Sequence, residues 1–227
     1  MNPQEKSGPM AARASLGLSS LALASVMLLA ACGGGQDDAE PAAQSARRAR
    51  ATSLPPGTTI PADAATRGMY GTLQSWPLIT VHAVLMPDGR VMSYGTDGSG
   101  RQTAYFGYDL WDSTQAPGAG HTTLANGTAT DIFCSSQVLL PEAENPSVFI
   151  AGGDNWTGTG TTNTGNNNSN LFSTANDSLT RQGNMNRARW YSSSTMLLNG
   201  EVYIQGGSGG TDRPEVRAAN GSFRLLT

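Results

Sequence analysis

From about residue 68 to its end, the chain alternates short apolar runs with turn signals, and the arrangement recurs three times. Residues 81–86 (VHAVLM) pass through Pro87-Asp88-Gly89 into 90–95 (RVMSYG). Residues 135–140 (SSQVLL) pass through a longer turn at Asn145-Pro146 into 147–153 (SVFIAGG), and 192–197 (SSSTML) through Leu198-Asn199-Gly200 into 201–207 (EVYIQGG). Asp-Gly and Asn-Gly between apolar runs predict β-hairpins. The runs at 105–111, 169–173 and 214–218 predict a third strand for each unit, and 222–226 a fourth for the last. Gly95, Gly153 and Gly207 mark the repeat at intervals of 58 and 54 residues. A unit of this size that closes its hairpin on glycine suits one four-stranded blade of a β-propeller. An antiparallel sandwich also makes hairpins at regular spacing; glycines, turns and strands recurring in phase favour the propeller. The expected fold is therefore all-β, with about three blades where roughly four to eight close a ring. The missing blades are then absent or come from a second chain. Between the second and third strands of the middle unit, 157–170 (TGTGTTNTGNNNSN) has no apolar face and predicts a mobile surface loop.

The N-terminal part breaks this pattern. Arg13 followed by the apolar run 16–29, too short for a convincing membrane span, predicts an export signal over residues 1–32. Its end, Leu29-Ala30-Ala31-Cys32, resembles a bacterial lipobox, which implies lipid on Cys32 and a chain anchored in the cell envelope. A plain secretory signal cut nearby is the alternative. Gly33 after the cysteine leans towards the outer membrane. Residues 33–66, rich in Gly, Ala, Pro and charge, read as a flexible linker before a folded domain at 67–227.

Composition narrows the function classes. Charged residues make up 14% and hydrophobic residues 38% of 227 positions, and Gly alone accounts for 28, as expected for a turn-rich β protein. A net charge of −3 gives a nucleic-acid partner no electrostatic support. Of the two cysteines, one is the lipidation candidate, so Cys134 is left as an unpaired thiol in an exported chain, which asks for an explanation.

Two segments supply candidate chemistry. Residues 131–136 (DIFCSS) and 189–194 (RWYSSS) each place a reactive side chain, Cys134 and then Tyr191, directly before paired serines and an inner strand. Aligning the serines puts Cys134 and Tyr191 at one register, with Thr80 as the first unit's counterpart. Neighbouring units should then bring sulfur and phenol together at the mouth of the central channel.

These same segments, TDIFCSS and MNRARWYSSSTMLLNGEVYIQGG, resemble the galactose oxidase and glyoxal oxidase family, copper radical oxidases built on a seven-bladed kelch propeller. The resemblance spans about residue 71 to the end. It implies a thioether between Cys134 and Tyr191, with Tyr191 as a radical-bearing copper ligand. An ortho thioether lowers the potential needed to oxidise the phenol. Radical and copper together take two electrons from a small aldehyde, primary alcohol or carbohydrate, and O₂ accepts them as hydrogen peroxide. The family's other ligands, an axial tyrosine and two histidines, belong to blades not represented in these residues, so turnover is not expected of them alone. His82, two positions beyond Thr80 on the first inner strand, and His121, in a Gly-rich loop, match no ligand motif and read as packing or surface histidines. Galactose oxidase stacks a tryptophan, placed right after Gly-Gly-Ser, on its thioether. Here Gly206-Gly207-Ser208 is followed by Gly209; Trp156, in the corresponding loop of the previous unit, is a candidate to stack instead, with a surface-loop tryptophan as the alternative, and Phe133 is a further candidate for stacking or substrate contact.

Three other functions compete. A lipid-anchored kelch module could bind carbohydrate or protein at the cell surface, with Cys134 a small buried filler. A truncated product would leave sheet edges unpaired. Nucleophilic catalysis by Cys134 lacks a histidine in a motif beside it.

Overall fold

The computed structural model describes residues 59–116, 118–140, 146–158, 160–210 and 212–227. The export signal, Cys32 and residues 33–58 of the linker lie outside the described residues. A four-residue helix, α1 (Ala64–Arg67), occupies the end of the stretch read as linker.

Everything after it is β structure. The first sheet is a meander of β1 (Ile79–Leu85), β2 (Arg90–Thr96), β3 (Gly107–Asp112) and β4 (His121–Ala125). The second runs from β5 (Ser136–Leu140) to β6 (Ser147–Ala151), then β9 (Ser169–Ser173) and β10 (Ser178–Arg181). The third consists of β11 (Trp190–Met196), β12 (Val202–Ser208), β13 (Glu215–Arg217) and β14 (Phe223–Leu225). All pairs are antiparallel, and the three sheets are blades of a partial β-propeller with β1, β5 and β11 innermost. The hairpin turns are closed by backbone bonds such as Gly89 N–H to Met86 O at 2.9 Å. Gly89 sits there at φ 83°, where a side chain would be strained.

Two elements differ from the sequence reading. Residues 157–170 are not a structureless loop, because β7 (Asp154–Thr157) pairs with β8 (Gly160–Gly165) as a separate hairpin and β9 begins at Ser169. Polar groups hold it: Asn155 Nδ2 donates to Gly165 O, and Asp154 Oδ1 accepts from Thr164 N–H. His121 is not in a loop either. It opens β4 opposite Trp111, and its Nδ1 lies 2.6 Å from buried Asp109 Oδ2.

Strand alternation builds the core between sheets. On β6, Val148 and Ile150 face the first sheet, joining Met86, Met92, Tyr94, Tyr108 and Leu110. Phe149 and Ala151 face the third, joining Val202 and Ile204. Successive side chains of a strand point to opposite faces, so this strand, buried along its whole length, is apolar at nearly every position. Arg90 clamps the first sheet to the second through two parallel bonds to Asp177, at 2.7 and 2.6 Å. Between the second and third sheets, the backbones touch. A Cβ on Gly152 would stand 2.2 Å from Arg189 O, and one on Gly153 2.2 Å from Asp131 O. Gly152 is thus the point where the second blade's backbone lies on the third, while Gly153 lies on the turn that leads into its own blade.

Arg189 meets that junction with its backbone carbonyl and turns its side chain into the third blade. Its side chain is fully buried, with Nε donating to Glu215 Oε1 at 2.9 Å and the remaining nitrogens donating to the carbonyls of Gly206, Gly210 and Arg213. Glu215 is also fully buried and accepts from Asn186 N–H, so the charge pair has its hydrogen bonds met.

Candidate functional site: the Cys134 and Tyr191 pair

A short turn carries the chain into β5. Asp131 Oδ1 accepts from Phe133 N–H at 3.0 Å, Ser135 N–H donates to Ile132 O at 3.2 Å, and fully buried Ile132 pins the turn to the core. Cys134, the last residue of this turn, sits at φ 59°, and Tyr191, at the start of β11, at φ 62°. Left-handed backbone costs an L-residue on the order of 1 kcal/mol, so something must hold both in place. Much of that hold is mutual: Tyr191 N–H donates to Cys134 O at 2.8 Å. On its other side, Cys134 N–H donates to His82 Nε2 at 3.1 Å. The Cys134 residue is therefore gripped from the first sheet at its amide and from the third at its carbonyl.

Side chains follow the backbone. The Tyr191 hydroxyl lies close enough to the Cys134 sulfur to be raised in pKa by it and, in return, to favour the thiolate. The thiol is nonetheless held above its ordinary value, first by burial and also by the negative charges of Asp154 and Asp131. Cys134 is 1% exposed and Tyr191 61%, so the sulfur is sealed beneath a phenol open to solvent. Asp131 and Asp154 are both buried, and each has an Oδ2 with no hydrogen-bond partner among the described residues. Burial, then the neighbouring charge of Asp154, pushes Asp131 up to about 6.

Beneath the pair lies a polar bed between the inner strands. Ser136 Oγ meets Ser192 Oγ at 3.0 Å and Ser194 Oγ at 2.6 Å, so the serines that mark the repeat join β5 to β11. Buried Tyr94 contacts Ser135 Oγ at 2.8 Å and donates to Gln137 Oε1 at 2.5 Å, while Gln137 Nε2 donates to Ala83 O.

The sequence-selected residues separate at this point. Cys134 and Tyr191 meet as the shared register requires. Phe133 is half-buried and packs against the core of the first two sheets. Trp156 stacks on Tyr105, with centroids 5.0 Å apart and planes at 11°, and meets Phe106 edge-on. The ring beside Tyr191 is Trp190, at 4.8 Å and 39°. Its buried Nε1 has no hydrogen-bond partner among the described residues, yet lies close enough to the sulfur to favour the thiolate. Sequence reasoning also missed His82, although the one-residue irregularity of β1 between Thr80 and His82 is what turns it towards Cys134.

Copper finds few ligands here. Tyr191 offers one oxygen, His82 Nε2 is taken by an amide and His121 Nδ1 by Asp109. Among the described residues, no group of three or more His, Cys, Asp or Glu could hold a metal ion. These residues do not by themselves form a copper site.

No family model matches the sequence, and no curated protein does. Among solved structures, the chain is similar to a novel fungal alcohol oxidase with catalytic diversity among the AA5 family, in complex with copper, at 14% identity and a TM-score of 0.42. The similarity covers 64% of this chain and 42% of that one, so the chain spans well under half of the oxidase.

Proposed function

We propose that Cys134 and Tyr191 form the redox centre of an exported oxidase of the copper radical kind, carried by a domain tethered through lipid on Cys32. The observation that carries this reading is the backbone bond from Tyr191 N–H to Cys134 O at 2.8 Å, which sets a sealed thiol and an open phenol side by side at the starts of two adjacent inner strands. Bond formation balances as follows. The Cys134 S–H and the ring C–H beside the Tyr191 hydroxyl are lost, one C–S bond forms, and two electrons and two protons pass to O₂ to give hydrogen peroxide. A phenol substituted in this way stores one oxidising equivalent at lower potential, and its exposure lets a small primary alcohol or aldehyde approach. Copper would take Tyr191 oxygen as one ligand, and turnover requires further ligands from outside the described residues.

Intact mass tests the centre. Incubation with copper(II) in air should remove two hydrogens from the full chain, and Cys134→Ser should abolish the loss. An unchanged mass in the parent, in air and with ferricyanide as a copper-free oxidant, sinks the reading.

One observation favours a second function. Tyr105, Phe106 and Trp156 form an aromatic cluster, and the exposed Phe106 also lines a cavity of about 320 Å³ with Leu78, Thr103, Thr123 and Leu124. Stacked rings beside an apolar hollow suit a sugar ring, as in a cell-surface binding module. Calorimetry with oligosaccharides on the parent and Trp156→Ala decides whether the cluster binds them.

A further inference from the structure

We infer that His82 is a positioning residue for the sulfur: its neutral imidazole accepts the Cys134 amide and fixes the left-handed backbone that aims Sγ at Tyr191. The inference rests on the proposed thioether only for its consequence, since the hydrogen bond exists independently of any crosslink. Its parts are on three elements. The irregularity between Thr80 and His82 on β1 sets the ring's direction, and Tyr94 on β2 stacks on that ring at 4.8 Å and 21°, fixing its plane. The third element, the turn before β5, presents the amide at 3.1 Å. To accept there, Nε2 must be unprotonated, so the proton of the neutral ring is on Nδ1. His82 thus holds the Cys134 amide, while Tyr191 N–H holds its carbonyl.

A pH dependence follows. The titratable groups facing His82 are Tyr94 and Cys134, both pushed up by burial and so uncharged near neutrality. Burial lowers the His82 pKa, which keeps the acceptor form through the neutral range. When pH falls through that lowered value, Nε2 gains a proton and two donors face each other. The amide is then released, and Cys134 is free to leave its strained backbone.

The test is hydrogen exchange at the Cys134 amide, corrected for the intrinsic rate and followed by NMR in the full chain. The parent should be protected at neutral pH and lose roughly tenfold of that protection in acid, the worth of one hydrogen bond. His82→Gln, which offers an oxygen acceptor, should stay protected across the range, and His82→Phe, which keeps the stack alone, should be unprotected throughout. The imidazole nitrogen shifts of the parent, which need no variant, should report the Nδ1–H form. Crosslink yield by mass should fall in His82→Phe and recover in His82→Gln. Equal protection in parent and His82→Phe, or an Nε2–H imidazole at neutral pH, overturns the inference. If the exchange pattern holds while no chain loses hydrogens, the positioning role stands and the oxidase reading falls.

Discussion

At the scale of single residues, charge burial sets the largest energies. Truncating Arg189 to Ala would leave fully buried Glu215 without its charge partner and would remove the guanidinium bonds to three backbone carbonyls. We expect a loss of about 3–5 kcal/mol in denaturant unfolding, with the Glu215→Gln partner change restoring part of it. Asp131 gives a signature of opposite sign to most carboxylates. Its folded pKa, about 6, lies above its ordinary 3.8, so its contribution to stability is full below the ordinary value and lost as pH rises through 6. The melting temperature of the parent relative to Asp131→Asn should therefore fall between about pH 4 and 6. Cys134 and Tyr191 were legible in the chain because both precede paired serines, and those serines turned out to be the inter-strand contacts. His82 was not, since its role is to accept a backbone amide 52 positions away, and no side-chain motif encodes a backbone partner. Trp156 stacks on Tyr105. The ring that reaches Tyr191 is its own neighbour in the chain, Trp190, turned alongside by the left-handed backbone at Tyr191.

Among the elements, the hairpins announced themselves and the polar strands did not. The turn dipeptides and apolar runs predict β1, β2, β5, β6, β11 and β12 within a residue or two: β2, β5, β6 and β12 carry buried side chains, and the more exposed β1 and β11 are marked by the turns that join them to β2 and β12. The hairpin β7–β8 escapes such a reading. It has almost no apolar side chains and is held by Asn, Thr and Asp bonds to backbone, which leave no periodic trace in hydrophobicity. The outer strands β4 and β10 escape for a related reason, being short and half exposed. Glycine carries more information than its usual role in turns. At φ 128° and with Asp131 O where its Cβ would be, Gly153 is both a conformational and a contact requirement. Gly153→Ala should cost at least about 2 kcal/mol and, because Asp131 opens the turn that ends at Cys134, should also disturb the sulfur. A Gly89→Ala change, in open space at a hairpin tip, is the control; it should cost only about 1 kcal/mol. Chemical unfolding curves of both variants check the contrast.

For the whole described domain, the three blades depend on one another in sequence: the first two share one apolar cluster, the last two another, and the middle blade belongs to both. The Cys134 and Tyr191 pair lies across the second of these seams, between a residue early in the middle blade and the first strand of the last. A covalent bond there would act as a staple closing the entire stretch between them. In the unfolded chain such a closure removes conformational freedom worth about 4 kcal/mol, by analogy with disulfides. The oxidised protein should then melt several degrees above the reduced one, and Cys134→Ser should abolish the difference in calorimetry. Oxidation would thus have a mechanical result as well as a chemical one: the redox history of the molecule would be recorded in how hard its last blade is to peel away.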